Sequence, residues 1–170
     1  MHYIINNYDN LPQNVIFIHD ENESWHHTGK ITENIQKWIK SFEEEGATYY
    51  EFNFNSSVSH IFPRNIATDL YSRNAAYKDL YDKCFRKYLG NPDQINPEKG
   101  LCCAQFIVSR ERILARDKEF YQNIYDWLVQ KTNGEGNGDP ADIYSGFNTS
   151  RYLEWIWAAI FKSPLAGDPN

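Results

Sequence analysis

Val15-Ile16-Phe17-Ile18-His19-Asp20-Glu21-Asn22-Glu23-Ser24-Trp25-His26-His27 is the stretch on which the reading of the fold turns. Its first four residues are apolar and rich in β-branching, which predicts a buried strand. The chain then passes at once into imidazole, carboxylate and amide groups with a Trp among them. A buried, parallel-type strand that ends in ionisable groups marks where open α/β sheets hold ligands, outside the carboxyl ends of their strands. The segment therefore predicts both a fold class and the place of a site.

Working outward, His2 to Asn10 predicts the last turns of a helix, with Ile4, Ile5, Tyr8 and Leu11 at helical spacing and Pro12 beyond it. Thr32 to Glu45 predicts an amphipathic helix. Ile31, Ile35, Trp38, Ile39 and Phe42 form its stripe, and Gly46 supplies the stop. Thr48 to Phe54 alternates Tyr50, Phe52 and Phe54 against Tyr49, Glu51 and Asn53, so it predicts a second strand with one solvated face. Asn65 to Leu89 reads as helical with a break near Ser72-Arg73-Asn74. Leu101 to Val108 predicts a third strand, followed by Ser109 as the N-cap of a short helix. Asp117 caps a further helix, Lys118 to Gln130. A flexible loop is expected over about 133–149. Ser150 is the expected cap of the last helix, and a loose tail runs over 163–170. Strands alternating with helices predict one α/β domain over 1–170.

Composition narrows the classes. A hydrophobic share of 41% and an aromatic share of 16% suffice for a real core. The net charge of -6 argues against phosphate-backbone binding, so no nucleic acid is expected. No run of about 18 apolar residues exists, so no membrane span is expected. Three Cys, with Cys102 and Cys103 adjacent and Cys84 distant, make no disulfide framework, and no CxxC pair offers a zinc ribbon. If Met1 is the native start, the reading is cytoplasmic; otherwise localisation is open. Gly134-Glu135-Gly136-Asn137-Gly138 is not a phosphate loop, since no Lys-Ser/Thr follows it.

Tyr8-Asp9-Asn10-Leu11-Pro12, the strand Val15 to His19, Ser24-Trp25-His26-His27, the run from Cys102 through Gln105, Ser109 and Arg110 to Ile113, and Leu153-Glu154-Trp155-Ile156-Trp157 with Ile160-Phe161 resemble one family. It is a family known only as a domain of unknown function and grouped with the GT-A glycosyltransferases. The resemblance covers about His2 to Phe161. It implies a GT-A-like, Rossmann-type three-layer fold, here truncated at its N-terminal, nucleotide-binding side. It also implies transfer of a sugar from a nucleotide-sugar donor to a glycan or other hydroxyl acceptor. A partner chain or oligomer is then a means of supplying the missing N-terminal half. The DxD metal motif of GT-A enzymes is not present in strict form; Asp20-Glu21-Asn22-Glu23 offers Asp-x-Asn or Glu-x-Glu in its place.

Each candidate has a plainer role beside the functional one. Asp20, Asn22 and Glu23 are hard oxygen ligands suited to Mn²⁺ or Mg²⁺ at a diphosphate, or else a solvated loop that helps cap the next helix. His19, with His26 or His27, could touch the diphosphate, serve as a base, or join Asp20 in a zinc hydrolase site; the plainer role is a hydrogen-bonded loop histidine. Trp25 could stack on a sugar face or anchor the loop. Under the resemblance Glu154 is the base that deprotonates the acceptor hydroxyl, with its pKa raised by the Trp155 and Trp157 surroundings; otherwise it is a surface acid. Arg110 could pair with diphosphate beside the N-cap Ser109. Gln105 faces either the pocket or the opposite layer. His60 and Arg64 are weaker candidates, and Cys102 and Cys103 read as packing residues. Two other functions stay open: a non-catalytic carbohydrate-binding or assembly module, and a His/Asp metal-dependent hydrolase.

Overall fold

The computed structural model describes residues 1–23, 29–52, 66–94, 104–132 and 142–162. Ser24, Trp25, His26, His27, His60, Arg64, Cys102 and Cys103 therefore lie outside the described residues, as do 133–141 and 163–170.

Three strands form one sheet in the order β1-β3-β2: β1 (Asn14–Phe17), β2 (Tyr49–Glu51) and β3 (Phe106–Ser109). Both outer strands run antiparallel to β3. The parallel sheet expected of a Rossmann-type fold is thus corrected to an antiparallel one. A short apolar run carries no direction, and it reads as parallel only because it is buried on both faces. Here burial on both faces arises differently: β3 has a strand on each side and a packed layer on each face.

The register makes the layers plain. Val15 and Tyr49 flank Val108, Ile16 and Tyr50 flank Ile107, and Phe17 and Glu51 flank Phe106. Side chains alternate across a strand. Val15, Phe17, Phe106, Val108 and Tyr49 face the larger core, whereas Ile16, Ile107, Tyr50 and Phe52 face the smaller one. The solvated face expected for β2 is corrected: Tyr49 is buried and the Glu51 side chain is 13% exposed.

The smaller core is closed by α2 (Ile31–Glu44), whose Ile31, Trp38 and Phe42 are buried, with Ile35 and Ile39 packed beside them. Trp38 stacks on Phe52 with ring centroids 4.5 Å apart. Gly46 at φ 60 ends the helix, with its N–H on the Glu43 carbonyl and the Ala47 N–H on the Phe42 carbonyl. This paired closure is the Schellman pattern, and it needs the left-handed conformation that glycine adopts without strain.

The other face carries the remaining helices. They are α1 (His2–Asn7), α3 (Ile66–Arg73), α4 (Ala75–Leu80), α5 (Arg86–Leu89), α6 (Arg110–Leu114), α7 (Lys118–Thr132), α8 (Gly146–Glu154) and α9 (Trp157–Lys162). The break at Ser72-Arg73-Asn74 occurs as the sequence predicts. Asn74 leaves the helical region, and its Oδ1 accepts from the Tyr77 N–H at 2.9 Å. One π turn, Tyr81–Phe85, joins α4 to α5. Burial pulls the Asp82 carboxyl upward, but hydrogen bonds from Lys78, Arg86 and Tyr71 outweigh it and bring the group down to about 2. Ser109 and Asp117 cap α6 and α7 as expected, accepting from the Arg112 and Phe120 N–H groups. The cap of the final helical stretch is corrected from Ser150 to Ser145, which accepts from the Asn148 N–H at 3.2 Å. Both positions are serine, and only the helix start distinguishes them. No described helix is long and apolar enough to cross a membrane.

Phe106 joins the layers. It is 1% exposed, and its ring lies 5.0 Å from Phe17, 5.2 Å from Tyr49, 5.5 Å from Phe161 and 5.6 Å from Trp157. Phe106→Ala is expected to lower the unfolding free energy by about 3–5 kcal/mol, the usual cost of an aromatic deletion that the core cannot refill. Urea denaturation reads this as a fall in midpoint; an unchanged midpoint contradicts the central placement.

Candidate functional site

Because Phe17 and Glu51 both oppose Phe106, the first residue of β3, β1 and β2 leave the sheet at the end where β3 begins. Three chain segments meet there. Ile18, 47% exposed, and the half-buried His19 follow β1; Phe52 follows β2; Gln105 precedes β3. The Gln105 carbonyl accepts from the Phe52 N–H at 3.1 Å. Its side-chain Oε1 accepts from the His19 N–H at 3.4 Å. Gln105 is fully buried, and its Nε2 has no hydrogen-bond partner among the described residues.

Glu154 is the last residue of α8. Ser145 starts that helix, and the Trp155 and Ile156 N–H groups close it on the Arg151 and Leu153 carbonyls. Burial pushes the half-buried Glu154 carboxyl above its ordinary value, while the nearby charges of His19 and Arg151 hold it back. A carboxylate at a helix C-terminus also meets the negative end of the helix dipole. His19 thus meets Gln105 through its backbone N–H, and its charge also acts on the Glu154 carboxyl. Arg151 was not singled out from sequence, although its spacing of three residues before Glu154 on one helix was a readable signal. Glu51 was missed as well, hidden by its assignment to a solvated face. Its Oε1 accepts from the Tyr49 hydroxyl at 3.0 Å, and its Oε2 lies 3.9 Å from Lys162 Nζ.

Other candidates lie elsewhere or already have work. Arg110 stands at the opposite end of β3, where its guanidinium reaches Gln13 Oε1 at 3.2 Å and the Leu11 carbonyl at 3.5 Å. Five residue steps along extended chain place it about 16 Å from Gln105. Asp20 is exposed. Asn22 caps α2 from a distance: its Oδ1 accepts from the Thr32 N–H at 3.0 Å and its carbonyl from the Ile31 N–H at 2.8 Å. Glu23 forms an isolated bridge to Lys30, with the charges 3.9 Å apart and the Glu23 side chain 71% exposed. Among the described residues no three His, Cys, Asp or Glu converge as they would around a metal ion. Trp25 and His26 fall outside the described residues.

Two outcomes follow from this geometry. Asn22→Ala is expected to cost about 1 kcal/mol in urea denaturation, the usual value of a lost helix cap; an unaltered stability removes the capping role. Glu154→Gln is expected to raise the melting temperature at pH 7. A raised folded-state pKa means that folding favours the protonated acid. Wild-type stability is therefore whole below the ordinary carboxylate range, about pH 4, and is lost as pH rises through the raised value. The advantage of Glu154→Gln should accordingly shrink to nothing in acid. A variant that melts lower than wild type at neutral pH contradicts the desolvation argument.

Searches of curated proteins and of solved structures return no match. The model of the family described as "Protein of unknown function (DUF3431)" matches residues 1–169, and the chain belongs to that family.

Proposed function

We propose that the chain transfers a glycosyl group from a nucleotide-sugar donor to a hydroxyl acceptor, with Glu154 as the general base. The reaction class rests on the resemblance of the segments around Cys102 to Ile113 and Leu153 to Phe161. The choice of the base rests on one feature: Glu154 is half-buried, burial raises its pKa, and the charges of His19 and Arg151 act against that rise.

The Glu154 carboxylate takes the proton of the acceptor hydroxyl as that oxygen attacks the anomeric carbon. The bond from the anomeric carbon to the diphosphate oxygen breaks, and its electron pair leaves with the nucleoside diphosphate. A base whose pKa lies nearer the working pH transfers protons more effectively than an exposed carboxylate, which suits the direction of the Glu154 shift. The coulombic influence of His19 and Arg151 opposes the upward shift of Glu154.

The test is a thermal-shift screen of nucleoside diphosphates and nucleotide sugars with and without Mn²⁺, followed by a transfer assay on any nucleotide that binds. One nucleotide class is expected to stabilise the fold, since a ligand bound only by the native state adds about 2.7 kcal/mol at 100 times its dissociation constant. Glu154→Gln should retain that stabilisation and lose about 100-fold or more in transfer rate. The wild-type rate should rise with pH through a midpoint above the ordinary carboxylate range. Glycan binding with no nucleotide affinity would replace this reading with that of a carbohydrate-binding module.

A further inference from the structure

β1 and β2 are the edge strands of the sheet, and only one of the two edges is guarded. In an antiparallel ladder, residues that exchange backbone hydrogen bonds alternate with residues that do not. The Arg110 N–H donates to the Gln13 carbonyl at 2.8 Å, whereas the Ser109 N–H turns the other way, to the Thr48 carbonyl at 2.9 Å. With Asn14 opposite Ser109, the register makes Gln13, Val15 and Phe17 the residues that bond to β3. The His19 N–H continues the alternation by turning to Gln105 Oε1. Asn14, Ile16 and Ile18 therefore aim their N–H and C=O groups away from the sheet, and no partner for them stands among the described residues. Such an edge pairs with other strands unless charge, proline or a bulge blunts it. At β2 a guard is present: Lys162 Nζ lies 5.6 Å from the centre of the Tyr49 ring and 3.9 Å from Glu51 Oε2. From Asn14 to Ile18 there is no charge, proline or glycine. Apolar surface lies open beside that edge. Ile18 is 47% exposed and Tyr3 45%, with the Tyr3 ring edge-on to Phe17 at 6.4 Å.

We propose that β1 is a dimer interface, pairing antiparallel with β1 of a second copy of this chain across a two-fold axis at Ile16. That axis puts Asn14 opposite Ile18 of the second copy, and Ile18 opposite its Asn14. Every outward N–H and C=O from Asn14 to Ile18 then meets its counterpart, and the two sheets become one. An axis shifted toward the N-terminus would set Pro12 against Ile16 or Ile18, and proline has no N–H to give. Charge selects a copy of this chain as the occupant. Asp20 of the second copy falls opposite Pro12, and Arg110 stands there. Its guanidinium holds the Leu11 carbonyl and Gln13 Oε1, on the two neighbours of Pro12. Arg110 and Asp20 are both exposed, and no carboxylate pairs with Arg110 among the described residues. A guanidinium so engaged keeps further N–H donors for a carboxylate. An isologous two-fold makes the Arg110–Asp20 contact on both sides of the axis. The inference rests on backbone register and surface charge and is independent of the reaction the chain performs.

The experiment is sedimentation of the full chain over a range of concentrations, with amide exchange followed by NMR. Wild type is expected to reach twice the 20.0 kDa of one chain. The Ile16 amide proton should exchange slowly where the dimer prevails and rapidly on dilution. Ile18→Lys puts a charge on the edge at an exposed position and should sediment as a folded monomer. Arg110→Glu and Asp20→Arg should each weaken dimerisation about tenfold or more, since each sets like charges face to face. The double variant Arg110→Glu/Asp20→Arg should bring the dimer back to near its wild-type strength, which neither a folding defect nor a dimer through another face would produce. A wild type that stays a monomer at every concentration overturns the proposal and leaves the edge to an extended peptide of another protein. A dimer that persists in folded Ile18→Lys overturns it, as does a double variant that dimerises no better than the single ones. If Ile18→Lys fails to fold, the charge exchange decides alone.

Discussion

β3 is the strand on which the rest depends. Phe106 to Ser109 are all buried, with β1 hydrogen-bonded on one side, β2 on the other, α2 across one face and the remaining helices across the other. A strand in that position has no face left for water, so consecutive rather than alternate residues must be apolar. Ile107 belongs to the small core under α2, while Phe106 and Val108 belong to the large one. Among the described residues the two cores adjoin through such neighbours in sequence. A change of one residue in register would exchange the contents of both cores, which is a strong restraint on pairing.

That rigidity supports groups that work against stability. Gln105 is buried with an amide nitrogen lacking a partner among the described residues, and Glu154 is held where burial disfavours its charge. Each would be replaced at a gain if folding were the only demand, since sites that depart from local packing rules are the expected seats of function. The charges on the helical surface behave otherwise. Asp82 is surrounded by Lys78, Arg86 and Tyr71 and sits well below the carboxylate range, a satisfied network that holds α3, α4 and α5 to one another. A perturbed pKa alone does not separate a site from a strut. The two carboxyls are shifted in opposite directions, Asp82 downward by its hydrogen bonds and Glu154 upward by burial.

Much of the fold is legible in the sequence, and what is not legible has identifiable causes. Val15 to Phe17, Tyr49 to Glu51 and Phe106 to Ser109 carry enough β-branched and aromatic character to be read as strands. Gly46, Asn74, Ser109 and Asp117 mark their helix ends by local chemistry. Pairing direction is invisible because a three- or four-residue apolar run looks the same either way. Ser145 and Ser150 are equally good caps, and the choice depends on where Tyr152 and Ile156 must be buried. The site is half legible. The residue types of His19, Gln105 and Glu154 are conspicuous, but the contact between His19 and Gln105 closes a separation of 86 residues. Asn22 shows the opposite case: its carbonyl oxygen suits a cation as well as an amide, and only the position of Thr32 reveals that it caps α2.

The topology explains why these residues gather at one end. β1 and β2 are each antiparallel to β3, so they are parallel to each other, with α2 as the crossover and β3 inserted between them. In a doubly wound sheet, strands deliver their carboxyl ends to one side and a reversal in strand order opens a crevice there. Here no such reversal is needed. Two outgoing strands and the start of the strand between them meet by geometry alone, and His19, Phe52 and Gln105, distant in sequence, become neighbours. An arrangement of this kind leaves the sheet short, since each strand need only be long enough to fix register, and it places the chemically varied residues just past the last rung, where the ladder no longer dictates their backbone.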